Sequence, residues 1–148
     1  MDNCYAACGC EGENVVSESD LDRWTDTIEN VLNDVRGRRF FRNFMFSSNM
    51  RSGRSALELL EHTERLIEYK ENSESVSYSS YLEDVDRLID EAEKNEEIDF
   101  VTMERLTTAR SSENKEAILE SLKKLKQEAT KSLRREYDRF RRYYAKPG

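Results

Sequence analysis

The chain has 148 residues, enough for one domain and a tail, and is 37% charged and 36% hydrophobic with a formal net charge of −7. That much Leu, Ile, Phe and Tyr excludes wholesale disorder, and the negative sign disfavours general nucleic-acid binding. The sequence has no apolar run long enough to span a bilayer and no secretory signal pattern, so a cytoplasmic protein is expected.

The single proline is at 147, and glycine is absent from Arg54 to Lys146. Long helices are therefore unobstructed. No stretch shows the β-branched alternation of a strand. The expected fold class is all-α. Charge is unevenly spread: Met1 to Asp34 holds nine acids and one base, and Lys131 to Lys146 holds seven bases and two acids.

Residues 1–18 read as a flexible acidic tail, 19–145 as a helical domain and 146–148 as a C-terminal end. The three cysteines, Cys4, Cys8 and Cys10, all fall in the tail. An odd, clustered set is a poor disulfide framework, and it lacks a nearby histidine to complete a zinc site. The three are candidate palmitoylation sites, since two acyl chains anchor a protein to a membrane where one does not. An incidental set of thiols in a tail is the plainer alternative.

Ser17 or Ser19 suits the N-cap of a first helix, with Asp20 and Asp22 placed for the helix dipole. Leu21, Trp24, Ile28, Val31, Leu32 and Val35 carry it at helical spacing, to an end near Val35. Gly37 then suits a helix stop. A short helix from Arg38 to about Met45 gathers Phe40, Phe41, Phe44 and Met45 on one face, and those rings require a core.

Ser47 to Gly53 reads as a polar loop, with Ser52 or Ser55 capping a helix that carries Leu57, Leu59, Leu60, Leu66 and Ile67. His62 on that helix is expected to be structural or exposed rather than a ligand or base. Glu71 to Ser80 is a serine-rich linker, and Ser79 or Ser80 caps a helix bearing Tyr81, Val85, Leu88, Ile89 and Ala92. Phe100, Met103, Leu106 and Ala109 mark a short helix. Ser111 and Ser112 open the last helical region, which runs from Ala117 to Phe140. That is too long for one globular helix, and a bend is expected near 129–132.

No phosphate loop, metal-spaced ligand set or catalytic triad is visible, and abundant carboxylates are the ordinary solvated faces of helices. The order of elements says more. The pieces are Leu32-Asn33-Asp34 with Gly37, then Phe41-x-x-Phe44-Met45, a Leu-rich helix ending Ile67-Glu68-Tyr69-Lys70, Ile98-Asp99-Phe100 with Met103, and Ser132-Leu133-Arg134-Arg135. Together, over about Leu21 to Tyr144, they resemble the regulator of G-protein signalling (RGS) homology domain.

The resemblance implies a bundle of about nine helices with no cofactor and no active site of its own. It implies binding of a heterotrimeric G-protein α subunit and faster GTP hydrolysis by that subunit, through steadying of its switch loops. The contact positions it assigns are Ser55 and Ala56 (Glu-Asn in the family), Ser111 (Asn or Ser), Lys131 (Asp), Arg134 and Arg135. A monomer is expected, with no nucleic-acid partner because of the overall negative charge. The basic end, with Arg134, Arg135, Arg139, Arg141 and Arg142, together with an acylated tail could meet the inner leaflet. Its interleaved aromatics could stack on RNA. The plainer reading places the aromatics in the core and pairs the arginines with acids elsewhere in the chain. The departures at Ser55, Ala56 and Lys131 fit a second expectation, an RGS-homology scaffold that binds a peptide or another signalling protein without changing the GTPase rate.

Overall fold

The computed structural model describes residues 15–69 and 77–145. These form eight α-helices and, among the described residues, no strand. In chain order they are α1 (Glu18–Trp24), α2 (Ile28–Leu32), α3 (Val35–Ser47), α4 (Arg51–Ile67), α5 (Tyr78–Glu93), α6 (Phe100–Ser111), α7 (Lys115–Lys131) and α8 (Arg134–Tyr144). The chain divides into two units. One comprises residues up to Arg54 together with Arg134 onward, and the other runs from Ser55 to Leu133.

The first unit is built on aromatic packing. Trp24 and Phe41 are fully buried, and Phe40, Phe44 and Met45 are buried beside them. They surround Phe140 of α8, whose ring lies 5.1 Å from Phe41 and 5.5 Å from Phe44, centroid to centroid and edge to face. Such pairs contribute roughly 0.5–1.5 kcal/mol each beyond the burial of their area. Tyr137 adds a polar tie by donating its hydroxyl proton to the Trp24 carbonyl at 2.8 Å. Its own hydroxyl is pushed up to about 12 by burial.

Local chemistry sets the helix ends. Ser17 caps α1 in a reciprocal box with Asp20, as the sequence suggests. Val16 is buried, so the packed chain begins ahead of residue 19. The expected single helix from Ser17 to Val35 is divided: it stops at Trp24, and Thr27 caps α2 by accepting from the Asn30 amide.

Gly37 is a second correction. It is not a helix stop but the third residue of α3. Asp34 caps that helix, accepting from the Arg36 and Gly37 amides at 2.9 and 3.0 Å. The glycine is there for proximity. A Cβ at this position would lie 2.8 Å from Trp24 Nε1 and 3.0 Å from the Val31 carbonyl oxygen.

The polar loop expected over Ser47 to Gly53 shrinks to Ser48–Met50. Asn49 takes the left-handed turn at φ 56°, a conformation asparagine tolerates. Ser52 and Ser55 thus lie inside α4 and cap nothing.

The second unit is a four-helix arrangement in which each adjacent pair carries a polar clasp. His62 of α4 faces Asp84 and Glu91 of α5. Arg110 of α6 holds Asp86 of α5 with two bonds of 2.8 and 3.0 Å. Glu128 of α7 accepts from Asp99 and Thr102 at the start of α6. Lys126 of α7 reaches Glu64 of α4 at 3.4 Å. Inside the ring lie Leu57, Leu60, Val85, Leu88, Leu106, Ile118, Leu122 and Leu125, each 0–1% exposed.

Caps in this unit differ from expectation. Ser77 opens α5 and Asn114 opens α7, while Ser111 and Ser112 close α6. Phe100, read as part of an apolar face, is 75% exposed. The buried face of α6 is Thr102, Leu106 and Ala109, one stripe at i, i+4, i+7. The expected break in the last helical region occurs, at Ser132–Leu133.

Candidate binding surfaces

The six positions assigned by resemblance fall on different parts of the chain. Ser55 is exposed in the second turn of α4, and its neighbour Ala56 is buried at 2% exposure, so the Ala56 side chain is not presented outward. Ser111 is the exposed last residue of α6, beside the turn in which Glu113 adopts φ 50°. Lys131 is the exposed last residue of α7. Ser111 and Lys131 are separated by the length of α7, about 25 Å at 1.5 Å per residue. Arg134 and Arg135 open α8 in the first unit, and both are exposed. Cys4, Cys8 and Cys10 lie outside the described residues.

The second unit does present a concave surface. A groove of about 510 Å³ runs between α6 and α7. Its lining includes the small residues Thr102, Ala109, Ser112, Ala117 and Ser121. Glu104, Arg105, Glu120 and Lys124 supply charge along it. The signal for it in the sequence is a run of small residues at helical spacing, Thr108 and Ser112 on one helix and Ala117 and Ser121 on the next.

Two polar clusters in this unit also escape a sequence reading. His62 is buried at 7% exposure, with Nε2 2.9 Å from Asp84 Oδ1 and Nδ1 3.2 Å from Glu91 Oε1. Its partners are 22 and 29 residues away in the chain. Glu128 is buried at 8% exposure; it accepts the Asp99 amide at 2.6 Å and a short bond from the Thr102 hydroxyl. Both clusters fix one helix against another. Among the described residues, no group of three or more His, Cys, Asp or Glu side chains is placed to hold a metal ion. Nor is any helix there long and apolar enough to cross a membrane.

In the first unit, electrostatics centre on Asp34. Burial pushes its carboxyl up, but bonds from the Gly37 amide, the Trp24 indole, Arg23 and the Arg36 amide outweigh this and hold it below the usual carboxylate range. Asp20 is held low in the same way, against burial, by the Ser17 amide, Arg23 and Arg36. Arg23 bridges the two carboxylates at 3.1 and 3.0 Å. The arrangement ties α1 to the start of α3.

No protein-family model, curated protein or solved structure matches the chain.

Proposed function

We propose that this chain is a regulator of heterotrimeric G-protein signalling that binds the α subunit and accelerates its GTP hydrolysis, shortening the signal. The chain itself supplies no catalytic residue. It acts by holding the α subunit's switch loops in the geometry that its own Arg and Gln need, so the barrier falls through preorganisation.

The observation that supports this reading is the first group of positions on which the resemblance rests, from Leu32 to Met45. Leu32, Phe41, Phe44 and Met45 are buried, Asp34 caps α3, and Gly37 abuts Trp24. These residues therefore have the structural roles that motif positions of a helical domain require. On the surface, Ser111 and Lys131 are exposed and free to meet a partner. Lys131 stands where the resemblance implies an Asp, so Lys131→Asp is expected to tighten binding to the GDP·AlF4 form of an inhibitory- or q-class α subunit. Immobilised α subunit in the GDP and GDP·AlF4 forms tests this. Failure of both proteins to prefer the AlF4 form would remove the reading.

A second reading, a scaffold that binds a peptide without altering GTPase rate, is favoured by the α6–α7 groove and by the buried side chain of Ala56. Capture of peptides by the chain with no effect on any α subunit would favour it over the first.

A further inference from the structure

From Val35 to Arg54 the chain carries six arginines and no aspartate or glutamate, although the whole protein carries a net charge of −7. Two of the six serve the fold. Arg36 bonds to Asp20 and to the Val15 carbonyl, and Arg38 donates from Nε to the Leu32 carbonyl at 2.9 Å. Of the other four, Arg39 and Arg51 are exposed and Arg42 and Arg54 are half-buried.

On α3, Val35, Arg39, Arg42 and Phe46 are spaced i, i+4, i+7, i+11 and so form one stripe. It lies opposite the buried face of Phe40, Phe41, Phe44 and Met45. Both ends of the stripe are apolar and open, Val35 at 77% exposure and Phe46 at 67%. The Arg54 guanidinium lies over the Phe46 ring, 4.8 Å from its centroid. Arg54 Nε is buried and makes no hydrogen bond. Arg39 and Arg51 are exposed.

A lone exposed apolar side chain is ordinary. Here two of them bracket the exposed Arg39 on a helix whose segment, from Val35 to Arg54, contains no carboxylate. Such a surface is satisfied where anions and hydrocarbon meet, with arginine stems lying along apolar matter and their heads on phosphate. We propose that the outer stripe of α3 docks this unit onto the anionic surface of a lipid bilayer. Phe46 and Val35 enter the boundary between headgroups and acyl chains, and the exposed Arg39 and Arg51 contact lipid phosphates. A single-stranded nucleic acid fits less well, since it rewards stacking platforms and gains nothing from an exposed valine.

The test uses the full chain without acylation, sedimented with vesicles of phosphatidylcholine alone or of phosphatidylcholine mixed with phosphatidylserine. The chain is expected to partition onto the phosphatidylserine vesicles only, and less so as salt rises. The double variant Arg39→Glu, Arg51→Glu and the single variant Phe46→Ser should each lower partitioning by about tenfold or more. Lys123→Glu, an exposed position on α7, should leave it unchanged. Circular dichroism establishes that each variant is folded. Equal binding to both vesicle types, variants that partition like the parent, or binding to an RNA oligonucleotide with no vesicle partitioning would each overturn the proposal. No G protein enters this assay, so its outcome and that of the α-subunit experiment are independent.

Discussion

Trp24 donates its indole proton to Asp34 across 3.2 Å, and Asp34 is at the same time the N-cap of α3. One carboxylate thus ends α2's connection, starts α3 and satisfies the only polar atom of a fully buried tryptophan side chain. Asp34→Ala removes a cap, worth about 1 kcal/mol, and leaves the indole N–H without its acceptor, worth about 1–2 kcal/mol more. The expected loss is about 2–3 kcal/mol. Thermal unfolding followed by circular dichroism should show Tm lower by roughly 5–10 °C for a domain of this size.

Gly37→Ala separates two accounts of the glycine by sign. On helix propensity alone, alanine inside α3 would stabilise by about 1 kcal/mol. The structure predicts the opposite. The new methyl would meet Trp24 Nε1 at 2.8 Å and the Val31 carbonyl oxygen at 3.0 Å, and the tryptophan has no room to withdraw. A net destabilisation of about 1–3 kcal/mol is expected from overpacking, read as a lower urea midpoint with an unchanged slope.

Acid should weaken the first unit through Asp34 and Asp20. Both carboxyls are held below their ordinary values in the folded chain. Each therefore contributes stability that is fully present above the unfolded pKa, about 3.9, and is lost as pH falls through the lower folded value. Unfolding free energy measured in urea from pH 6 down to about pH 2 should fall below about pH 4. The variant Asp20→Asn, Asp34→Asn should be less stable at pH 6 and show a shallower fall.

Glu128 anchors the start of α6 by accepting from the Asp99 amide and the Thr102 hydroxyl. Glu128→Ala strands two donors and should cost about 2–4 kcal/mol, whereas Glu128→Gln keeps a carbonyl acceptor and should cost less than half as much. Amide hydrogen exchange provides the local readout, with faster exchange at the α6 N-terminus in the alanine variant.

What could be read directly from the residues was what depends on near neighbours. Ser17 with Asp20 signals a cap three residues apart. Phe40, Phe41, Phe44 and Met45 declare one buried face, and the last helical stretch is too long not to break. Glycine defeated the reading at Gly37, because its reason is Trp24, thirteen residues earlier and visible only once α1 and α3 are packed. The partners of His62 are hidden for the same reason, since both carboxylates come from α5, 22 and 29 residues along the chain. Among many carboxylates, nothing local marked Glu128 as buried. At the candidate surface, a serine at 55 and an alanine at 56 look alike in a linear sequence. On α4, Ser55 falls on the exposed side and Ala56 on the buried one.

The most direct test of the proposed activity is single-turnover GTP hydrolysis by a panel of G-protein α subunits, with and without this chain. The account predicts that at least one inhibitory- or q-class α subunit hydrolyses GTP about tenfold faster or more in its presence, a barrier lower by about 1.4 kcal/mol. Unchanged rates across the panel, together with no binding to any GDP·AlF4 complex, would contradict it.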